Sequence, residues 1–556
     1  MQLRLRTALS LITATVAVGF AACSEDPKPE DGALGTACDP AKADACAAEL
    51  ECTARAAGGN FCTYPAGAEC QPEAEDIENG GCAETAECTV SEGSTTATCR
   101  ILESGECDPA NDLCTDGLVC AELSSGGNRC FAEVVLRGQV ADASDRAAIE
   151  DAHVMAVDEE GVAVTDVAET DAEGNYELAV PVARNDDGTP VSTQFTLRAA
   201  AQDYQPFPSG VRVALPIDVE ASPREGDDYV IDSALTDVDL IPLPAGERSR
   251  ISGSITAVAG ADAGAAESAI SGVLVVAKGT SGAFSGVSDK GGNFTIFNVP
   301  AGDYELKGYA ADVQIETESV SVPAEPLEGV ELAQLGDGTK DVSGNVQIVN
   351  APGGSLTSVI LVVEDTFDAN AARGEVPRGL RAPRTGVPNV AGDFTITGVP
   401  AGRYVVLAAY ENDALVRDPD TNIAGTDFVT LEVSAGAGTL AMPESFKVTV
   451  ALATVSPGAD EPEAVTQKPE LVWADDSSED WYDVRVFDAF GNEVWTALQL
   501  PSVSGAENAS VQYEGPLDPG MYYQFRVSSW RQPGGGAAAP ISTTEDLRGV
   551  FFSRAE

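Results

Sequence analysis

The sequence predicts an all-β protein in which disulfide-rich N-terminal modules are followed by tandem β-sandwich domains. Three observations predict it. Twelve of the thirteen cysteines fall between Cys38 and Cys130, and none follows. From about Val134 onward, short β-branched runs alternate with Gly, Asn, Asp and Pro clusters, as strands joined by tight turns do. The segment GNFTIFNVPAGDY at 292–304 returns one hundred positions later as GDFTITGVPAGRY at 392–404, which marks a duplicated unit.

The first residues, MQLRLRTALSLITATVAVGFAAC, carry a basic start (Arg4, Arg6) and an apolar stretch from Ala8 to Phe20. Ala21 and Ala22 precede Cys23, the layout of an export signal. The apolar run is shorter than the roughly 20 residues a spanning helix needs. Cys23 is the odd cysteine, outside the groups of four described below. The junction resembles a bacterial lipobox, with Phe20 where leucine is usual. That resemblance implies a signal peptide over 1–22 and a mature lipoprotein acylated at Cys23. Cleavage after Ala21 is the alternative; it leaves a free thiol, a liability in an oxidising compartment. One acyl chain anchors weakly, and the lipoprotein modification supplies several. Ser24 is compatible with transport onward to an outer membrane, so the expected place is the cell envelope, on or at its surface.

Lys and Arg number 32 against 89 Asp plus Glu, a net charge of −57. A surface so negative repels phosphate backbones and excludes nucleic acid as a partner. Residues 23–36 hold charges, prolines and glycines with little to bury, and read as a flexible tether.

Residues 37–131 contain Cys38, Cys46, Cys52 and Cys62, then Cys70, Cys82, Cys88 and Cys99, then Cys107, Cys114, Cys120 and Cys130. Five residues separate the second and third cysteine in every group, and seven separate the groups, so the unit is triplicated. Such short segments cannot bury enough surface to fold without cross-links. Zinc would need close pairs such as C-x-x-C, and none occurs. Four cysteines allow three pairings, which spacing alone does not choose between. The unit loosely resembles the EGF-like and Dickkopf-like repeats of extracellular proteins, found also in myxobacterial lipoproteins.

Within the β region, Gly138-Gln139-Val140, Gly253-Ser254-Ile255 and Gly344-Asn345-Val346 read as strand starts. Each is followed by an apolar second strand: His153 to Val157, Val273 to Ala277, Val359 to Val363. In the duplicated segment, Gly-Asn and Gly-Asp favour tight turns. Phe294 and Ile296, like Phe394 and Ile396, then point inward while Thr295 and Thr395 point out. Val-Pro-Ala-Gly turns the chain, and Tyr304 or Tyr404 opens the next strand. A divergent version, TDAEGNYELAVP, occupies 170–181. This pattern resembles the carboxypeptidase regulatory-like domain, a transthyretin-like sandwich of about seven strands. The resemblance covers 134–241, 248–335 and 340–443. It implies fold more than activity, since related sandwiches serve as spacers or carbohydrate binders.

The last segment, 446–553, differs. Leu471-Val472-Trp473, the Pro519-Gly520 turn and Tyr522-Tyr523-Gln524-Phe525 resemble a fibronectin type III sandwich; a fourth variant of the preceding repeat is the alternative.

Catalytic signals are absent. The one histidine, His153, lies in a strand with no Ser or Cys motif beside it. No HExxH, GxSxG, Walker A or dinucleotide fingerprint occurs, and no residue pattern calls for a cofactor or a metal. Asp171/Glu173, Asp227-Asp228 and Asp475-Asp476 read as solvated turns, with weak calcium binding as the alternative. Small sandwiches offer no deep cleft for a two-carboxylate glycosidase. Between Asp365 and Gly386 the third sandwich carries Arg373, Arg378, Arg381 and Arg384. They suit an anionic polymer or an acidic neighbouring domain; a solvated loop offsetting its surroundings is the plainer reading. Trp481, Trp495 and Trp530 serve either sugar stacking or a sandwich core.

The sequence therefore predicts a non-enzymatic, lipid-anchored envelope protein with a structural or adhesive role, touching the membrane through its lipid. A carbohydrate-binding array tethering the cell to polysaccharide, or an accessory subunit of an envelope secretion machine, are the alternatives.

Overall fold

The computed structural model describes residues 33–554, apart from single positions and internal stretches of which 72–77, 92–94, 258–268, 350–356, 370–372, 386–389, 411–427, 504–507 and 545–547 are the longest. It is a β structure with three short 3₁₀ turns and no α-helix among the described residues. Cys23 and the first part of the tether lie outside them.

The chain forms two compact units. Cys120 ends the first, which also includes Asn128–Phe131; the second comprises Ala121–Gly127 and everything from Ala132.

The first unit answers the question of cysteine pairing. In each module the first cysteine bonds the third and the second bonds the fourth: Cys38–Cys52, Cys46–Cys62, Cys70–Cys88, Cys82–Cys99, Cys107–Cys120 and Cys114–Cys130. The third and fourth cysteines face one another across a two-stranded ladder, Cys52 opposite Cys62 and Cys88 opposite Cys99. The modules also stack. Two residues after the fourth cysteine the chain bridges, in parallel, to the second cysteine of the next module: Tyr64 to Cys82 and Ile101 to Cys114. Tyr64 packs with Cys82, Ala86 and Cys99, and Ile101 with Cys114 and Cys130. Sulfur and one borrowed side chain thus stand in for the core that each module is too short to build.

The second unit holds four sandwiches: the first, third and fourth have two separate sheets, and the second is a single seven-stranded sheet folded on itself, joined through Gln314–Ile315 and Gln334–Leu335. In the first three the opening strand pairs in parallel with the closing strands. Val134–Asp142 pairs with Asp228–Asp232 and then Val238–Pro242. Ser249–Thr256 pairs with Leu327–Leu335, and Lys340–Val349 with Gly438–Ala441 and Phe446–Thr449. In the fourth sandwich it is the second strand, Glu463–Val465, that pairs in parallel with the closing Val550–Ser553, while the opening Thr454–Ser456 pairs antiparallel with Glu470–Ala474.

Two boundaries differ from the sequence reading. Phe446–Thr449, assigned there to the last domain, belongs to the third sandwich. Pro443 has no N–H to donate and interrupts the closing strand, which resumes against Val346–Val349. Gly138, Gly253 and Gly344 do not start strands either; each lies inside one. Their ladder partners are Tyr176, Phe294 and Phe394, whose rings need the space a side chain would fill. An aromatic laid over a cross-strand glycine is a known device for shielding exposed backbone.

The duplicated segment behaves as its residues require. Asp171, Asp289 and Asp488 each accept the backbone N–H four residues on, from Asn175, Asn293 and Asn492. The intervening Gly174, Gly292 and Gly491 take φ of 79°, 78° and 81°, where a Cβ would be strained. Tyr304 and Tyr404 donate their hydroxyls to the carbonyls of Pro300 and Pro400, both at 2.9 Å, and so tie off the Val-Pro-Ala-Gly turn.

Each sandwich has its own core. The second strands are apolar on both faces, however. Val359, Leu361 and Val363 enter the core of the third sandwich while Ile360 and Val362 face outward. Val273, Val275 and Ala277 fill the second core while Leu274 and Val276 join the third. Val154 and Ala156 fill the first, whereas Met155 and Val157 meet Val287 of the second. Sheets buried on both faces read as continuous apolar runs, and here the second covering layer is another sandwich.

Candidate functional site: a chamber where four sandwiches meet

Contacts among the four sandwiches surround a space of about 790 Å³. Between the first two, the Asn298 amide of the second bridges a turn of the first. Its Nδ2 donates to the carbonyls of Ala201 (3.1 Å) and Tyr204 (2.8 Å), and its Oδ1 accepts the Asp203 N–H at 2.6 Å. Between the first and third, Arg198 Nη2 donates to Glu375 Oε2 at 3.2 Å. Between the first and fourth, Gln205 Nε2 donates to the Ala489 carbonyl at 2.7 Å, and the Arg212 guanidinium lies over Phe207 (4.9 Å) and Tyr522 (5.1 Å). Burial pushes the Arg212 guanidinium below its usual range, and Tyr522 and Asp239 partly restore it.

The chamber wall is mixed. Strand alternation brings Met155 of the first sandwich, Val287 and Phe297 of the second, and Ile360 and Leu407 of the third to one space, which Phe207 also borders. Phe490 and Gln524 close the side of the fourth. A cleft was not expected from small sandwiches taken singly. It arises because it lies between them, where no single domain's sequence encodes it.

The four arginines of the third sandwich all lie among the described residues, and they face its neighbours. Arg373 Nη1 donates to the Gly210 carbonyl of the first sandwich at 2.5 Å. Arg384 Nη1 meets Asp312 Oδ2 of the second at 2.5 Å, and its Nη2 donates to the Thr397 carbonyl. The Arg378 carbonyl accepts the Ala311 N–H of the second sandwich at 2.9 Å, and Asp158 and Asp312 lie close enough to oppose the effect of burial on its guanidinium. Arg381 donates to Ser358 Oγ at 3.3 Å; burial lowers its guanidinium, opposed by Glu160 of the first sandwich. Only Arg373 lines the chamber.

His153 lies on the chamber wall. Its ring stands edge-on to Phe297, centroids 4.9 Å apart, and Nε2 is 3.4 Å from Glu169 Oε1. Burial lowers its pKa, with Glu169 raising it in part. No hydroxyl or thiol hydrogen-bonds to it among the described residues, so it has no nucleophile to activate.

No protein-family model and no curated protein matches this chain. Among solved structures it is similar to the Bacillus anthracis TIE protein, at 10% identity over 75% of this chain and 73% of that one, TM-score 0.14. It is similar also to GBS52, the minor pilin of Streptococcus agalactiae, at 12% identity over 38% of this chain and 100% of that one, TM-score 0.17. A tetra-tandem repeat from the extending region of a large adhesion protein matches at 15% identity over 74% and 99%, TM-score 0.12. Scores this low carry neither arrangement nor function across.

The tryptophans divide. Trp473 is buried in the fourth core, against Tyr482. Trp495 stands edge-on to Tyr513 at the margin of that core. Trp481 and Trp530 are ladder partners, half-buried, with parallel rings 6.1 Å apart. The carboxylates singled out in the sequence have structural work. Asp171 holds its hairpin turn, and the Asn175 backbone N–H keeps it below the usual carboxylate range. Asp475 accepts the Tyr482 hydroxyl at 2.8 Å and Asp476 accepts Ser529 Oγ at 2.7 Å, while Asp227 lies outside the described residues. Sequence reasoning missed Arg198, Asn298 and the chamber. The outward-facing apolar positions of the second strands were the available signal.

Proposed function

We infer that this chain is a non-enzymatic structural or adhesive protein of the cell envelope, held to a membrane by a lipid on Cys23. The observation that supports the reading most is the construction of the chain itself. Disulfide-bonded modules stack on one another in one unit, and four sandwiches in the other are joined through apolar faces and buried hydrogen bonds. Such a body transmits load and presents surfaces; its one histidine meets a carboxylate and an aromatic ring, with no nucleophile. Disulfides belong to an oxidising compartment, which agrees with an exported chain. The carboxypeptidase regulatory-like resemblance adds a sandwich commonly used as spacer or binder.

Labelling with radioactive palmitate tests the anchor. Incorporation into wild type and its loss in Cys23→Ala are expected, and an unlabelled wild type defeats the membrane half of the proposal. Adhesion to surfaces by cells carrying and lacking the protein tests the rest.

Carbohydrate binding has one specific observation in its favour, the parallel Trp481–Trp530 pair on the outward face of the fourth sandwich. A glycan array with wild type and a Trp481→Ala/Trp530→Ala double variant decides that reading. Trp495→Ala is a poor test, because Trp495 packs at the core.

A further inference from the structure

The chamber is a cleft between domains, partly open to solvent, rather than a sealed interior void. A space of about 790 Å³ falls within the rough range of small-molecule sites, about 300–1,000 Å³. Its apolar wall is assembled from three different sandwiches, by Met155, Phe207, Val287, Phe297, Ile360 and Leu407. Water held against such a wall gains few hydrogen bonds from it, so an apolar occupant is favoured.

The polar part of the wall has the opposite charge balance to the protein. It carries Arg198, Arg212, Arg248 and Arg373 against Asp368, Glu375 and Asp488, in a chain where acids outnumber bases 89 to 32. The Asp488 carboxylate is taken up by the N–H groups of Phe490 and Asn492. Arg212 and Arg248 each bury an Nη1 that makes no hydrogen bond among the described residues, whereas Arg198 is part-exposed. Its ion pair with Glu375 uses Nη2 alone, and its side chain keeps 26% exposure. The remaining guanidinium N–H groups are left for an acceptor inside the chamber, and a planar fork of donors suits a carboxylate.

We propose that the chamber binds a single-chain amphiphile of the fatty-acid class, its carboxylate on Arg198 and its hydrocarbon along Phe207, Val287, Phe297 and Leu407. The ligand would touch sandwiches of different sequence origin at once, and so would also hold them together.

The test uses the purified full-length chain, oleate as ligand, oleyl alcohol as its uncharged counterpart, and displacement of fluorescent cis-parinarate as readout. Saturable binding of oleate is expected, with a raised unfolding temperature for the complex. Ser285→Trp, which puts an indole into the chamber from a lining strand, should abolish binding without lowering the unliganded unfolding temperature. Arg198→Gln should weaken oleate about tenfold, or about 1.4 kcal/mol, and leave oleyl alcohol unchanged. Because Arg198→Gln leaves Glu375 unpaired, the Arg198→Gln/Glu375→Gln double variant is measured beside it and should show the same loss. The proposal is overturned if wild type binds oleate without saturation, if Ser285→Trp binds like wild type, or if oleyl alcohol binds as tightly as oleate.

Discussion

Phe294 lies directly across the ladder from Gly253, and its ring comes within 2.9 Å of where a Cβ on that glycine would sit. The same Cβ would strike the Val330 carbonyl of the parallel partner strand. Glycine inside a strand normally weakens it, since it packs nothing and loses much entropy on folding. Here two neighbours have taken the space. Gly253→Ala should therefore destabilise rather than stabilise, by about 1–3 kcal/mol as overpacking does. A lowered thermal midpoint checks it. Gly344→Ala, opposite Phe394, should behave alike.

The contacts joining the sandwiches differ greatly in worth. The Arg384–Asp312 pair is short, but the two side chains keep 32% and 63% exposure. Exposed pairs contribute about 0–1 kcal/mol, so Arg384→Ala should barely move the unfolding midpoint. Asn298 is 6% exposed and satisfies three backbone groups of the 201–204 turn. Asn298→Ala removes its bonds to all three; the Ala201 carbonyl keeps the Tyr204 N–H, while the Tyr204 carbonyl and Asp203 N–H lose this partner, at roughly 1–3 kcal/mol for a buried group left unpaired. It also forces alanine to hold a φ of 64°. A loss of about 3 kcal/mol or more is expected on those grounds, and chemical denaturation of the two variants side by side gives the order.

What the sequence disclosed follows from how local each feature is. The turn motif Asp-x-x-Gly-Asn acts within five residues, so 171–175 and 289–293 could be read directly, and its strands fell where expected. The cysteine triplication was equally plain. Pairing was not, because three pairings satisfy the same spacing and only the folded chain brings Cys38 to Cys52 and Cys46 to Cys62. The boundary between 443 and 446 fell too early because a proline interruption inside a strand and a domain end share one local signature. The chamber was least legible of all. It depends on the outward faces of Met155, Val287 and Ile360, which lie more than a hundred or some seventy positions apart. A single clue was present: runs such as Val359 to Val363 are apolar at every position, whereas a sheet with one solvated face alternates.

Disulfide loss should act on one unit only. The six bonds close loops with sequence separations of 13 to 18, each worth on the order of 3 kcal/mol. The modules have no apolar core to replace them. All four tryptophans, at 473, 481, 495 and 530, belong to the fourth sandwich. Under dithiothreitol, protease should open the region 38–130 while tryptophan fluorescence stays native. A red-shifted emission on reduction would show that the sandwiches depend on the modules.

Acid should weaken the contact between the first and second sandwiches through His153. Its folded-state pKa lies below the ordinary value near 6.5 because burial against Phe297 disfavours the imidazolium more than Glu169 favours it. The unfolded chain therefore takes up the proton first. Above about pH 7 neither state is protonated, and His153 has no influence on stability. As pH falls through about 6.5 the unfolded state gains a proton the folded state resists, so stability drops, and the loss levels off once pH passes the folded pKa. Carboxylates with depressed folded pKa, among them Asp171 and Asp218, also lose stability on acidification, but at and below their ordinary range near pH 4. The two effects occupy separate windows. Thermal midpoints measured between about pH 7.5 and 5 should fall more steeply for wild type than for His153→Gln. Parallel curves would assign the acid sensitivity to other groups.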